Sequence, residues 1–295
     1  MTAQIISGTE IARQIREELR QEIAVLKAKH NLVPGLATVL VGEDPASQVY
    51  VGQKERTCKD LGVYSERYDL PAKITQQELL ALIERLNKSP KIHGILVQLP
   101  LPNHLDEEGI LYSINPKKDV DGFHPVNLGK LMIGEPDYLP CTPHGIQQLL
   151  VRSGVKIEGA EVVVVGRSNI VGKPIANILL QKAEGANATV TVCHTRTRDI
   201  AFHTRRADIL IVAAGKAKAI TADMVKEGVV VIDVGVNQIG TTSDGKRILC
   251  GDVDFDAVKE KAKAITPVPG GVGPMTITML MMNTLKAAKL AAGLA

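Results

Sequence analysis

The stretch Glu161-Val162-Val163-Val164-Val165-Gly166-Arg167-Ser168-Asn169-Ile170-Val171-Gly172-Lys173-Pro174 decides the fold. Its four consecutive valines read as a strand buried on both faces, and a glycine turn follows at once. Strand, glycine turn and helix in that order aim backbone N–H groups and a helix dipole at a phosphate. Gly166 permits a tight turn, Gly172 lets helix and sheet approach closely, and Pro174 suits a first helical turn. The spacing departs from Gly-x-Gly-x-x-Gly, because Ser168 stands where the second glycine would be. Alone, the stretch also fits an ordinary βα turn of a parallel sheet, so its surroundings must decide.

Downstream, strands are expected at Thr189–Cys193, Ile209–Ala213 and Val229–Val234, with helices at Lys173–Gln181 and Thr221–Glu227. The second strand ends in His194-Thr195-Arg196-Thr197-Arg198, where an NAD site would place Asp or Glu against the ribose 2′-hydroxyl. Hydroxyl and cation there suit a 2′-phosphate, which favours NADP; a solvated basic loop is the alternative. Small residues end the next strands, in Ala213-Ala214-Gly215 and Asp233-Val234-Gly235, and leave room for a cofactor across the carboxyl edge.

Upstream, Ser7-Gly8-Thr9-Glu10 opens a helix whose stripe is Ile11, Ile15, Leu19, Ile23 and Leu26. Leu36–Val41 is a buried strand ended by Gly42. Asp44-Pro45-Ala46-Ser47 opens a second helix that Gly62 stops. Tyr64–Tyr68 is a short strand, Thr75 to Glu78 cap a helix reaching about Leu86, and His93–Leu99 is a strand ended by Pro100 and Pro102. Residues 113–145, rich in Pro, Gly, Asn, Asp and Lys, read as a linker with loops. A last helix from Met275 to about Ala292 is expected to return to the first domain. The class is therefore α/β: two βα domains with parallel sheets, the second a Rossmann-type NAD(P)-binding domain. The expected boundaries are 1–140 with 275–295 for the first domain and 141–274 for the second.

Composition agrees. A chain of 295 residues suits two domains, and 45% hydrophobic residues with no Trp suit sheets covered by helices. The net charge of +3 is spread over 35 basic and 32 acidic residues, and the five Tyr and three Phe are too few for a nucleic-acid surface. Cys58, Cys141, Cys193 and Cys250 lie far apart, which excludes metal-site spacing and a disulfide scaffold. Charged Glu10, Arg13, Arg16, Glu17 and Glu18 rule out a signal peptide over Met1–Leu19. No apolar run reaches the roughly 18 residues of a membrane span. A soluble, cytoplasmic protein without a metal, nucleic-acid or membrane partner is expected.

Tyr50 and Lys54 share one face of the second helix, as a solvated helix surface would also have them. A free lysine, with a pKa of about 10.4, is a poor base at neutral pH, and burial beside apolar walls would lower it. The Tyr-x-x-x-Lys of short-chain dehydrogenases follows their glycine turn; here it precedes that turn by more than a hundred residues, so that reading fails. Other segments accompany it. Gln98 ends a buried strand in Gln98-Leu99-Pro100-Leu101-Pro102, and Lys118-Asp119-Val120-Asp121-Gly122 supplies acidic residues. Pro140-Cys141-Thr142-Pro143-His144-Gly145 precedes the second domain, and Thr266-Pro267-Val268-Pro269-Gly270-Gly271-Val272-Gly273-Pro274-Met275-Thr276 is a stiff loop.

Together and in this order, these segments closely resemble the bifunctional methylenetetrahydrofolate dehydrogenase/methenyltetrahydrofolate cyclohydrolase family, from about Ser7 to Leu285. The resemblance implies a folate cleft between the domains, with Lys54, Gln98, Tyr50 and Asp121 as the catalytic group. Lys54 would be the central acid/base residue and Gln98 would tune it. Tyr50 would stack near the folate, Asp121 would hold the pterin ring, and Pro269 and Gly270 would line the site. Gly166, Arg167, Ser168, Thr195 and Ile232 fall at NADP-contacting positions; members often carry Ser where this chain has Thr195, and the hydroxyl is kept. Lys182–Asn187 is longer than usual, as a surface loop would allow. A homodimer working in one-carbon metabolism with a tetrahydrofolate substrate is implied. The rival readings are a dehydrogenase of another small substrate such as shikimate, a cyclohydrolase with a silent dehydrogenase, and a folate- or nucleotide-binding protein without turnover. The first does not account for Gln98, Asp121 and the 266–276 loop together, intact Lys54 and Gln98 argue against the last, and the silent dehydrogenase stays open.

Overall fold

The computed structural model describes residues 2–242, 245 and 247–294, with Ala46 by its backbone alone, so the expected domain ends Met1 and Ala295 lie outside the described residues. In chain order the elements are β1 (Gln4–Ile5), α1 (Gly8–His30), β2 (Gly35–Val41), α2 (Pro45–Leu61), β3 (Tyr64–Leu70), α3 (Gln76–Lys88), β4 (Gly94–Val97), α4 (Glu107–Tyr112), α5 (Pro125–Met132) and α6 (Cys141–Arg152). They continue with β5 (Glu161–Val165), α7 (Gly172–Leu180), β6 (Thr189–Cys193), α8 (Ile200–Thr204), β7 (Ile209–Val212), β8 (Val230–Asp233), β9 (Asn237–Thr241), β10 (Arg247–Cys250), α9 (Phe255–Val258), β11 (Ala264–Ile265) and α10 (Val272–Ala291). Two compact units result: Gln14–Cys141 with Ile277–Ala295, and Met1–Arg13 with Thr142–Thr276.

The 14–141 unit is built on a parallel sheet of order β3-β2-β4. Every residue of β2 is buried, as a central strand covered on both faces requires. The helix ends follow local chemistry. Asp44 accepts from the Ser47 N–H at 2.7 Å with Pro45 in the first turn, and Gly62 closes α2 in the left-handed region. Thr75 and Glu78 form the reciprocal capping box of α3. The apolar stripe of α1 is buried at Ile15, Leu19, Ile23 and Leu26.

The 142–276 unit holds a six-stranded, all-parallel sheet of order β1-β11-β8-β7-β5-β6. The chain passes from β5 outward to β6, then back past β5 to β7. The strand order therefore reverses between β5 and β7, the place where doubly wound folds hold their ligands. Beyond β8 comes an antiparallel hairpin, β9–β10, that the sequence did not announce.

Two expectations need correction. The 113–145 stretch contains α5 and the start of α6 rather than loops alone. His124 caps α5 by accepting from the Val126 N–H at 3.1 Å, Pro125 fills the first turn, and Asn127 and Leu131 face inward. Eight residues with Pro, Gly and Asn among them carry too few apolar repeats to show a helical period. Thr221–Glu227 makes only a 3-10 turn at Ala222–Met224, because the backbone is extended at both Thr221 and Val225. The 182–187 segment is pinned: Gly185 O accepts from Gln147 Nε2 at 2.9 Å, and Ala186 is buried.

In the first of these units, buried Asn283 of α10 donates through Nδ2 to Val120 O at 2.8 Å and Leu139 O at 2.9 Å. Replacing it by alanine takes one donor from each of these carbonyls, that of buried Val120 among them. Asn283→Ala is expected to lower stability by about 2 kcal/mol in urea unfolding; a change within error would show that these bonds hold nothing.

Candidate active site

Capping at Asp44 and Gly62 fixes the phase of α2, and with it the side of the helix that carries Tyr50 and Lys54. Lys54 is only 8% exposed, whereas Tyr50 is 44% exposed. Gln98 follows β4, and its N–H donates to Val39 O at 2.8 Å, which extends the sheet by one rung. The Gln98 side-chain Nε2 donates to Leu99 O at 2.7 Å. That bond turns Oε1 toward the lysine, whose Nζ donates to it at 2.8 Å.

The acidic loop lies beside β4, where Asp119 forms a parallel bridge with Ile95. Its two aspartates do different work. Asp119 accepts from the His124 N–H at 2.8 Å, from the Phe123 N–H at 3.3 Å and from Asn127 Nδ2 at 2.7 Å, and so shapes the loop. Asp121 instead belongs with Lys54 and Cys141. Burial pushes the Lys54 amine below the usual lysine range, while the charge of Asp121 partly opposes this. Burial likewise raises Asp121, with Lys54 pulling the other way. The Cys141 thiol, also buried, is held well above its ordinary value and donates to Val120 O at 3.3 Å. It is a protonated packing group, not a nucleophile. A buried amine with a lowered pKa and one oriented acceptor is better suited than a free lysine to taking up and returning a proton.

In the 142–276 unit, the turn after β5 is tight at Gly166 as the sequence suggests, while Gly172 has a different role from the one expected. Gly166 has φ +125°, and a Cβ there would lie 2.2 Å from Ala213 O, across the reversal point of the sheet. A Cβ on Gly172 would lie 2.2 Å from Gly166 O, so this glycine admits the turn rather than the sheet. Val171, at the start of α7, offers no side-chain cap. Ser168 Oγ supplies one, accepting from the Val171 N–H at 3.1 Å and the Gly172 N–H at 3.4 Å. Its hydroxyl hydrogen remains to donate outward, and Arg167 and Ser168 are both exposed.

Val165 and Cys193 are in register on neighbouring strands, which sets the 194–198 loop beside the glycine turn. His194 Nδ1 accepts from the Arg196 N–H at 3.1 Å, and the His194 N–H donates to Thr197 Oγ1 at 2.9 Å, so His194 shapes this loop. Thr195 and Arg196 face solvent. The nearest acidic residue, Asp199, is spent on capping α8 through the Phe202 N–H at 3.0 Å. An anionic 2′-phosphate therefore fits here better than a bare ribose hydroxyl. Ile232 is fully buried within β8. Pro269 is exposed, and Gly270 O accepts from the Thr9 N–H at 3.1 Å. Among the described residues no group of three His, Cys, Asp or Glu converges as a metal site would require, and no helix is long and apolar enough to cross a membrane.

Residues 6–121 match the catalytic domain of the tetrahydrofolate dehydrogenase/cyclohydrolase family, and residues 140–292 match its NAD(P)-binding domain. The bifunctional protein FolD of Syntrophus aciditrophicus is 71% identical over the full length of both chains. A crystal structure of the FolD methylenetetrahydrofolate dehydrogenase/cyclohydrolase of Campylobacter jejuni superposes with a TM-score of 0.91 at 49% identity, covering 98% of this chain and 99% of the other. The Trypanosoma brucei FolD enzyme, solved with NADP cofactor and an inhibitor, gives 0.93 at 40% identity over 99% of both chains. With its catalytic and NAD(P)-binding halves matched in turn and a relative aligned from end to end, the chain belongs to the tetrahydrofolate dehydrogenase/cyclohydrolase family.

Proposed function

We propose that this enzyme oxidises 5,10-methylenetetrahydrofolate to the 5,10-methenyl form with NADP+, and hydrolyses the methenyl form to 10-formyltetrahydrofolate. The observation that carries the reading is the buried Lys54 amine held at 2.8 Å by Gln98 Oε1. NADP+, when bound, supplies the hydride acceptor of the first reaction. In that reaction a neutral Lys54 does not repel the methenyl cation that forms. In the second, Nζ takes a proton from the attacking water and returns one to the departing ring nitrogen. Gln98 keeps one N–H of the amine occupied and so orients its lone pair. Asp121 accepts from pterin N–H groups and Tyr50 stacks beside the folate, so both orient rather than react.

Folate binding is assigned to the unit of Gln14–Cys141 and Ile277–Ala295, and Pro269 and Gly270 are assigned as substrate-binding residues on the family resemblance. NADP is assigned to the turn at Gly166, Arg167 and Ser168, to Thr195, and to the backbone at Ile232. The hairpin leaves Val236, Ile239 and Ile248 exposed, which supports a homodimer paired through that surface. Four unpaired cysteines suit a reducing, cytoplasmic setting. The formyl product is a one-carbon donor for purine biosynthesis, and the same folate pool serves histidine and methionine biosynthesis.

Lys54→Met is expected to lower cyclohydrolase turnover by about 10²-fold or more while NADP+ binding stays within twofold. Full turnover in that variant would remove Lys54 from the chemistry. On methylenetetrahydrofolate, the initial rate with NADP+ is expected to exceed that with NAD+, and Arg196→Ala is expected to cut the preference by about tenfold. Equal rates with the two cofactors would refute the 2′-phosphate assignment.

A further inference from the structure

Two carboxylates lie beneath the carboxyl edge of the six-stranded sheet, and neither takes part in the chemistry above. Asp252 has no exposed surface and Asp233 is 2% exposed. Asp252 Oδ2 accepts from the N–H groups of both Ala214 and Gly215 at 2.7 Å, and its Oδ1 accepts from Asn237 Nδ2 at 2.8 Å. Asp233 holds Asp252 in turn. Its Oδ1 accepts from the Asp252 N–H at 2.9 Å and the Gly235 N–H at 3.0 Å, and its Oδ2 accepts from the Val253 N–H at 2.9 Å. The Asp233 N–H donates to Thr266 Oγ1 at 2.8 Å, where the 266–276 loop begins.

Two glycines make the arrangement possible, each opposite the other segment's aspartate. A Cβ on Gly235 would lie 2.2 Å from Asp252 Cγ, and one on Gly251 would lie 1.8 Å from Asp233 Oδ2. Gly235, which the sequence suggests makes room for a cofactor, makes room for a carboxylate. Burial pushes Asp233 up to about 6 against the pull of its N–H partners, so at pH 7.5 it is mostly ionised and accepts all three.

The consequence falls on the loop after β7. Because the peptide unit is planar and trans, drawing the Ala214 and Gly215 N–H groups onto Asp252 turns the Ala213 and Ala214 carbonyls the opposite way. The Ala213 carbonyl lies against Gly166, where a Cβ would come within 2.2 Å of its oxygen. Gly215, with φ +66°, borders open space, since a Cβ there would meet nothing within 4 Å. Without Asp252, the Ala214 and Gly215 N–H groups lose the acceptor they share, and the loop loses its tie to the buried segment before α9.

We infer that Asp252, held by Asp233, is a positioning residue for NADP: it sets the Ala213 and Ala214 carbonyls, the first of them against the glycine turn at the reversal point between β5 and β7. This inference rests on the reading that the 142–276 unit takes NADP. Cyclohydrolysis of methenyltetrahydrofolate needs no hydride acceptor, so loss of positioning separates the two activities, whereas general damage to the fold lowers both.

The test is made at pH 7.5 on the full chain, comparing wild type, Asp252→Ala, Asp252→Asn and Asn237→Ala. Direct NADP+ binding, dehydrogenase kcat and KM, cyclohydrolase turnover on supplied methenyltetrahydrofolate, and melting temperature are recorded. Asp252→Ala is expected to raise the Kd and KM for NADP+ by about tenfold or more, with cyclohydrolase turnover within twofold. Asp252→Asn keeps an acceptor oxygen for the two N–H groups and is expected to return NADP+ binding to within about threefold of wild type. Unchanged NADP+ binding in Asp252→Ala, or equal loss of both activities in a cooperatively melting protein, overturns the inference. If Asp252→Ala shows no cooperative melt, Asn237→Ala decides: a rise in NADP+ KM of about threefold or more with intact cyclohydrolase supports positioning, and no rise overturns it. Failure of wild type itself to bind NADP+ refutes the cofactor assignment instead.

Discussion

A lysine amine taken out of water must find an acceptor or give up its charge, and Lys54 does something of both. Its Nζ meets Gln98 Oε1 at 2.8 Å, while burial lowers its pKa against the pull of Asp121. Much of the 14–141 unit follows from holding that pair. The Asp44 and Gly62 caps fix the phase of α2, and the Leu99 carbonyl fixes the Gln98 amide. Asp119 ties its own loop to the start of α5, and Asn283 draws the Val120 carbonyl onto α10. Each contact is ordinary in strength. Their joint effect is to leave one amine with a defined partner and little freedom.

The 142–276 unit solves a different problem with similar means. Phosphates and ribose need backbone groups turned toward them, and a parallel sheet offers such groups only at its carboxyl edge. Gly166 and Ser168 shape one side of the reversal point, and the carboxylates of Asp233 and Asp252 shape the other. Buried charge is costly unless fully satisfied, and here five backbone N–H bonds and one amide satisfy it.

Much of this was legible in the residues because it is local. The all-apolar β2 and β5, the Asp44-Pro45 and Thr75–Glu78 helix starts, and the Gly166 turn are determined by neighbours a few positions away. Lys54, Gln98 and Asp121 stood out as a set only through a family resemblance, since a Tyr and Lys four apart are common on any helix. What stayed hidden depends on contacts distant in sequence. Asp119 and Asp121 look alike in the motif, yet one shapes a loop and the other acts on the lysine through its charge. Nothing around Asn283 hints that it serves Val120, 163 positions earlier. The partnership of Gly235 with Asp252 likewise exists only once β8 and the segment before α9 are packed. The short α5 and the β9–β10 hairpin had too few repeats to declare a period.

The most direct test of the central claim, that burial and Gln98 make Lys54 a working base, is the pH dependence of cyclohydrolase kcat in wild type and in Asp121→Asn. Turnover should rise with pH through an ionisation below 10.5, the ordinary lysine value. Because the Asp121 charge raises Lys54, removing it should move that rising limb to still lower pH. A profile with no such limb, or one that Asp121→Asn leaves in place or shifts upward, would contradict it.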